Sequence, residues 1–159
     1  MEPQRPPKRL LVVYHSQTGT TAHMLDAVLR GARDEAVEGV EVLVREALAA
    51  TVDDVLGAQG VLLGTPENFG YMSGALKCFF ERIYHPCLEH TQGLPYGVFI
   101  RAGNDGRGAL SSIERIVTGL RWRRVAEPVI VAGDFAPARL ADCEELGLTL
   151  AAGLEAGVF

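Results

Sequence analysis

A hydroxyl-rich turn near the start of the chain, SQTGTT, has the residue types of a phosphate-binding site. It follows a short, continuous apolar run at residues 10–14, which is typical of a strand buried on both faces of a parallel sheet. A helical pattern begins directly after it, so backbone N–H groups, hydroxyls and the positive end of the helix dipole would meet at the turn. The same residues could instead serve only to cap the helix. The residues of this first loop are Ser16, Gln17, Thr18, Gly19, Thr20 and Thr21.

Two further polar loops follow apolar runs later in the chain. The second loop, residues 65–72 with the sequence TPENFGYM, comes after a predicted strand at residues 60–64. The third loop, residues 102–108 with the sequence AGNDGRG, comes after a predicted strand at residues 96–101. Each contains glycine, which lets the backbone turn sharply or approach a ligand closely. In the third loop, however, the NDG tripeptide could form nothing more than a turn.

The elements that must position these loops alternate between strand and helix patterns. Alternating valines predict a strand at residues 40–44, and an apolar run predicts another at residues 125–131. Helical patterns separate the successive strands and give the order βαβαβαβαβα. Parallel strands joined by right-handed helical crossovers form a three-layer α/β/α sandwich. Five such strands fit the order 2-1-3-4-5, in which ligands bind beyond the carboxyl ends of the strands. The three loops would then lie together at one edge of the sheet.

The spacing of apolar residues and the positions of capping residues predict where the helices begin and end. The first helix is predicted to run from about Thr21 until Gly39, and a short second helix to be capped by Thr51. The third helix is predicted to end before a connection at residues 85–94, because that segment contains Pro86.

The composition narrows the class of protein. The chain of 159 residues has a net charge of −5 and 48% hydrophobic residues, which is typical of a globular domain. We predict one domain at residues 9–159 after a disordered, proline-rich tail at residues 1–8. The acidic balance argues against nucleic acid as a partner.

No apolar run approaches the roughly 20 residues of a membrane-spanning helix, and no secretory leader pattern is present. Three cysteines without a CxxC pair favour reduced thiols and a cytoplasmic location.

Other residues that often do chemistry have simpler explanations. His85, Cys87 and His90 offer only three ligands in a flexible connection, so we predict no metal site. Cys78 lies beside core positions of a predicted helix and is expected to be buried. His15 directly precedes the first loop and could either touch a bound phosphate or pack at the end of its strand.

The first two loops resemble those of a known family. The pattern SQTGTT after the first strand and GTPENFGYMSG after the third resembles the flavodoxin-like FMN proteins. Among these it is most similar to the NAD(P)H-dependent FMN and quinone reductases of the tryptophan-repressor-binding-protein type. The resemblance extends from Arg9 to the last helix. It implies FMN as the cofactor, NAD(P)H as a co-substrate and a small molecule as the electron acceptor.

The resemblance also implies a role for each loop. The first would wrap the FMN phosphate, and the second would lie along the flavin ring edge near its carbonyl and N5. The third would lie near the pyrimidine end, where amides could stabilise negative charge on the reduced flavin. The implied residues of the second loop are Pro66, Glu67, Asn68, Phe69, Gly70 and Tyr71. Those of the third are Arg101, Ala102, Gly103, Asn104, Asp105 and Gly106.

Three side chains of the second loop keep alternative roles. Phe69 and Tyr71 could flank the flavin as aromatic walls, or they could pack beneath the loop. Glu67 could donate a proton, or it could be an ordinary solvated carboxylate.

The activity implied by the resemblance is the transfer of hydride from NAD(P)H through FMN to a quinone, a flavin or a similar acceptor. A flavodoxin-type electron carrier and a flavin-free interaction domain are the alternatives. The third loop favours the enzyme, because it lacks an aromatic residue that would cover the ring. Such an enzyme could form a homodimer or a higher homo-oligomer. The helical face of Phe79, Phe80, Ile83 and Tyr84 would then lie either in the interface or in the core.

Overall fold

The computed structural model describes residue 3 and residues 5–159 of the chain. Residues 1, 2 and 4, which belong to the predicted tail, lie outside the described part. The strands are β1 (Lys8–Tyr14), β2 (Val40–Glu46), β3 (Gly60–Asn68), β4 (Tyr71–Met72), β5 (Pro95–Ala102), β6 (Arg123–Arg124) and β7 (Val129–Ala132). The helices are α1 (Thr20–Ala32), α2 (Val52–Leu56), α3 (Gly74–Cys87), α4 (Arg107–Gly119) and α5 (Leu140–Ala156), with a short 3-10 helix at Pro137–Arg139.

The long strands form a parallel sheet in the order β2-β1-β3-β5-β7. This is the predicted order 2-1-3-4-5 once the two-residue strands are set aside. Of those, β4 pairs antiparallel with the end of β3, and β6 pairs parallel with the start of β5. One apolar core lies between the sheet and the pair α1 and α5, and a second lies between the sheet and α2, α3 and α4. The predicted three-layer α/β/α sandwich is therefore confirmed.

Two glycines let α1 and α5 pack backbone against backbone. A Cβ atom on Gly31 would overlap the carbonyl oxygen of Glu144, and one on Gly147 would overlap the carbonyl oxygen of Val28. No larger residue fits at either position without moving a helix. This close contact fixes the position of α1 against α5 in the same layer.

The structure corrects the predicted ends of two elements near the start of the chain. The strand β1 begins at Lys8, so the last residue of the predicted tail belongs to the sheet. The helix α1 ends at Ala32 instead of continuing to Gly39. Asp34 explains the early end, because its Oδ1 accepts the Ala36 N–H at 2.8 Å and offers the backbone a turn in place of the helix.

Proline misled the sequence interpretation at α3. The helix was predicted to end before Pro86, yet it continues to Cys87. Pro86 lies in the last turn, where it removes only one helical hydrogen bond. The chain then satisfies the carbonyl of Cys87 with the hydroxyl of Thr91, which donates at 2.9 Å.

The predicted strand at residues 125–131 is divided in the structure. The β6 pairing lies at residues 123–124, and β7 begins only at Val129. Pro128 lies between them and has no N–H for the ladder, so proline here is tolerated only because the segment is at the sheet edge.

Two further expectations for α3 concern the burial of its side chains. Cys78 is exposed, so the prediction that it is buried was wrong. Phe79, Phe80 and Ile83 are fully inside the core, and only Tyr84 of that face is half-buried. The face proposed as either interface or core is therefore core.

Candidate functional site

The first loop leaves the start of α1 open to an anion. Gly19 is the N-cap of α1 and has a φ of +93°, a conformation that suits glycine and offers no side chain as a cap. Ser16 supplies the cap from a distance, because its Oγ accepts the Ala22 N–H at 3.2 Å. The first turn of α1 contains no acidic residue. The positive end of the helix dipole is therefore not neutralised by the helix's own side chains.

The hydroxyls of the first loop are not equivalent. The Oγ1 atoms of Thr18 and Thr20 lie 3.5 Å apart at the accessible side of the turn. Thr21 is only 2% exposed and packs inward, so its hydroxyl supports the loop from within. Ser16 has the capping role that the alternative interpretation gave to the whole loop. The sequence pattern alone could not separate these roles.

The second loop is a β-hairpin and not an irregular loop. The strand β3 continues through Pro66 to Asn68, and β4 returns antiparallel to it. Phe69 and Gly70 form the two-residue turn, with φ of +52° and +68°, which corresponds to a type I′ turn. Phe69 is fully exposed at its tip, so packing beneath the loop is excluded for this residue. Tyr71 is 41% exposed.

A side-chain hydrogen bond connects the hairpin to the first loop. The Nδ2 of Asn68 donates to the Oε1 of Gln17 at 3.1 Å. These residues are 51 positions apart in the sequence, and the parallel pairing of β1 with β3 brings them together. The first two predicted loops therefore form a continuous surface, as the sheet order required.

The hairpin also contacts the start of α4, directly after the third loop. Glu67 accepts the Ala109 N–H through its Oε2 at 3.0 Å. A Cβ atom on Gly108 would overlap the carbonyl oxygen of Gly70, so the two backbones touch. Glu67 is thus hydrogen-bonded to a helix N-terminus, a role that neither of the sequence alternatives included.

The third loop is exposed at its centre and fixed at its ends. Gly103, Asn104 and Asp105 are exposed, and Gly106 is the buried N-cap of α4 with a φ of +73°. The Oδ1 of Asp105 accepts the Arg107 N–H at 3.1 Å, so the NDG tripeptide forms a turn, and its contact with a cofactor stays a prediction. No aromatic side chain belongs to this loop.

Arg101 at the start of the third loop is engaged within the protein. One guanidinium nitrogen donates to the carbonyl oxygens of Ala102 at 2.6 Å and Val131 at 3.0 Å. The guanidinium also lies 5.7 Å from the centre of the Phe135 ring, within cation–π distance. Arg101 therefore ties the ends of β5 and β7 together.

Comparison with known proteins shows which fold this arrangement of strands, helices and loops belongs to. No protein-family model matches the chain. In solved structures, the fold is similar to that of a WrbA-like flavodoxin from Agrobacterium tumefaciens, with a TM-score of 0.72 and 20% identity over 91% of this chain and 96% of that one. The chain has a flavodoxin-like fold. The suspected fold family is thereby confirmed.

Curated relatives of this flavodoxin-like chain have two kinds of name. A protein named flavodoxin from Aquifex aeolicus is 34% identical over 112 residues, which cover 70% of this chain and 60% of the relative. A protein named NAD(P)H dehydrogenase (quinone) from Paracoccus denitrificans is 33% identical over 129 residues, which cover 70% of this chain and 62% of the relative. The chain thus spans about three fifths of the length of these relatives.

A fourth loop reaches the same edge of the sheet and was not predicted from the sequence. The segment after β7 turns at Gly133, with a φ of +71°, and carries Phe135 back over the sheet. The Phe135 ring lies 6.2 Å from the ring of His23 on α1, edge to face, and its centre lies 5.7 Å from the Arg101 guanidinium. The signal in the sequence is the GDF turn after the last strand, which has the same strand–polar turn–helix setting as the other loops.

His15 lies at the end of β1 and pairs with a carboxylate. Its Nδ1 lies 3.0 Å from the Oε1 of Glu46 at the end of β2. Burial raises the pKa of Glu46, but the hydrogen bonds from His15 and from the Leu48 N–H outweigh it, so the pKa is lowered overall. This contact supports the interpretation of His15 as a residue packed at the strand end.

Two negative findings apply to the part of the chain that the structure describes. No cluster of three or more histidine, cysteine, aspartate or glutamate side chains there could hold a metal ion. None of the described helices has the length and hydropathy needed to cross a membrane.

Proposed function

We propose that this chain binds FMN at the edge formed by its three loops and acts as an NAD(P)H-dependent oxidoreductase. The observation that carries the proposal is the open N-terminus of α1. It combines an N-cap glycine that has no side chain, accessible hydroxyls of Thr18 and Thr20, and a first turn free of acidic residues. A phosphate monoester is the group this donor set suits, because dipoles and hydroxyls can bind it without a lysine.

The residues present fit the rest of such a cofactor. The hairpin extends from the first loop toward α4 and provides an edge of backbone and aromatic side chains. The exposed third loop contains no aromatic side chain. When bound, FMN would supply the hydride chemistry. Residues 18–20 would bind the phosphate of FMN, and the hairpin would orient the flavin ring. One side of the flavin ring would stay accessible beside Gly103 and Asn104. That access suits a planar nicotinamide or quinone.

A flavodoxin-type electron carrier is the second candidate, and the Aquifex aeolicus relative favours it. The two candidates require the same cofactor site and differ only in whether a small molecule exchanges electrons at the exposed ring. The proposal also includes a cytoplasmic location, which the three free cysteines support. Assembly into a homodimer or a higher homo-oligomer stays a prediction.

The cofactor assignment is tested by comparing FMN with riboflavin, which lacks the phosphate. Replacing Thr18 and Thr20 together by alanine removes two hydroxyl donors, each worth about 1.5 kcal/mol toward a charged acceptor. The double variant should therefore bind FMN about 100-fold more weakly by fluorescence titration, with riboflavin binding unchanged. The exposed Thr118→Ala is the control and should match the wild type. Equal loss of both ligands would contradict a phosphate site at this loop.

Turnover separates the two candidate functions. Steady oxidation of NADH or NADPH with a soluble quinone by the FMN-loaded protein is expected for the enzyme. Tight FMN binding with no such turnover would leave the carrier as the function.

A further inference from the structure

The N-termini of α1 and α4 lie at the edge of the sheet where the three loops meet, and they differ in whether carboxylates accept their N–H groups. At α1 no carboxylate is present in the first turn. At α4 two carboxylates occupy the same kind of position: Asp105 accepts the Arg107 N–H, and Glu67 accepts the Ala109 N–H. Asp105 belongs to the loop directly before the helix. Glu67 comes from the hairpin, 42 positions earlier in the sequence.

The Glu67 contact lies beside two others that also join the hairpin to α4. Next to it, the Gly70 carbonyl touches the backbone at Gly108. On the returning strand, the Met72 N–H donates to the Oγ of Ser112 at 3.1 Å, and that hydroxyl donates to the Ala109 carbonyl at 2.8 Å. Together these contacts hold both strands of the hairpin against residues 108–112 of α4.

Glu67 differs from the other two contacts in strength and in position. It makes a charge-assisted hydrogen bond to a helix N-terminus, which is about twice as strong as a neutral one. It is also half-exposed at the open side of the hairpin, whereas Met72 and Ser112 are buried. Because Gly106 has no side chain, α4 depends on Glu67 and Asp105 for its capping.

We propose that Glu67 is a positioning residue that clamps the hairpin onto the first turn of α4 and so orders the hairpin before the cofactor binds. This inference rests on the proposed function only for its consequence, a preordered edge for the flavin ring. The clamp itself is a property of the protein without any ligand. Ordering in advance removes an entropic cost from binding.

The test uses amide hydrogen exchange measured by NMR on the ligand-free protein. Two amides are informative. The Ala109 N–H donates to the Glu67 carboxylate, and the Met72 N–H reports whether the hairpin is docked on α4. Glu67→Ala removes the acceptor and should speed exchange at both amides by about tenfold, the equivalent of one hydrogen bond to a charged group. Glu67→Gln keeps an acceptor oxygen and should speed exchange by less than about threefold.

Two comparisons exclude a general loosening of the fold. The Leu76 N–H, which Ser73 caps at the start of α3, should exchange at the wild-type rate in every variant. Asp105→Ala removes the other carboxylate from α4 without touching the hairpin, so it should leave the Met72 exchange rate unchanged. Unchanged Met72 exchange in Glu67→Ala, or an equal increase in Asp105→Ala, would overturn the clamp.

The consequence for binding is measured separately. If the clamp preorders the site, Glu67→Ala should weaken FMN binding by about three- to tenfold, and Glu67→Gln should stay near the wild type. Faster Met72 exchange with unchanged FMN affinity would overturn the positioning role. A wild-type protein that binds no FMN would refute the proposed function while leaving the exchange result intact.

Discussion

Phe69 at the tip of the hairpin should lower the stability of the folded protein and strengthen the binding of FMN. The substitution Phe69→Asn tests both effects. Its φ of +52° is in the left-handed region, which costs a residue with a Cβ roughly 1–2 kcal/mol. The side chain is fully exposed, so shortening it removes no apolar burial from the ligand-free protein. Phe69→Asn places the residue that type I′ turns prefer before Gly70. We expect the free energy of unfolding to rise by about 1 kcal/mol.

Arg121 provides a matched control far from the cofactor edge. It is the other non-glycine residue with a positive φ among those described, at +60°, and it is also exposed. It precedes β6, which pairs with the start of β5 at the opposite end of the sheet. Arg121→Asn should therefore give a similar gain in stability, seen as a rise in Tm of about 2–4 °C per kcal/mol for a chain of this size.

FMN titration then separates the two variants. If Phe69 flanks the ring, its loss removes part of an aromatic contact worth about 1–1.5 kcal/mol, so Phe69→Asn should bind FMN about tenfold more weakly. Arg121→Asn should bind FMN like the wild type. A Phe69→Asn protein that is destabilised would refute the strain argument, and one that binds FMN normally would refute contact with the ring.

Two further predictions follow from burial and from the pKa values. Of the three cysteines, only Cys78 should react with a thiol reagent in the folded protein, because Cys87 and Cys143 are buried and burial raises the pKa of Cys143 to about 11. The Cys78→Ser variant should not react, and denaturant should expose the other two thiols. Because the folded-state pKa of Glu46 is lowered, its contribution to stability is present above its unfolded pKa and is lost as pH falls through the folded value. The difference in unfolding free energy between wild type and Glu46→Gln, from urea denaturation, should therefore be larger at about pH 7 than at about pH 3.5; an equal difference at both would contradict the assignment.

The sheet order and the meeting of the three loops could be predicted because both depend on local patterns. A buried strand, a polar turn and an amphipathic helix are each encoded by neighbouring residues, and right-handed crossovers leave few ways to connect them. The capping box at Thr51, with Asp54 as its partner, is local in the same sense and occurs as the sequence indicated. Boundaries failed where a local signal competed with tertiary contacts. The proline signal at Pro86, for example, did not end α3, because Ile83 and Cys87 on either side of it pack into the core.

The hairpin shows why the site itself was less predictable than the fold. The sequence ENFGYM contains no asparagine–glycine or aspartate–glycine turn signal, and phenylalanine is a poor residue for a positive φ. The turn forms because long-range partners hold both of its strands: Gln17 bonds Asn68, and Ser112 bonds the Met72 N–H. None of these partners lies within 30 residues of the hairpin. A pattern read within a short window could place the loop at the edge but could not give its conformation.

The contrast between the N-termini of α1 and α4 is the structural observation that bears most directly on the proposed ligand. Each helix follows a strand and begins with a left-handed glycine as its N-cap, Gly19 or Gly106, so local sequence makes both candidates for an anion. They differ because two carboxylates accept N–H groups in the first turn of α4, that of Asp105 from the preceding loop and that of Glu67 from a distant part of the sequence, whereas the first turn of α1 contains no acidic residue. One open and one closed N-terminus at the same edge favour a ligand with a single phosphate at one end. They disfavour a second phosphate at α4, where it would meet the negative charges of Glu67 and Asp105.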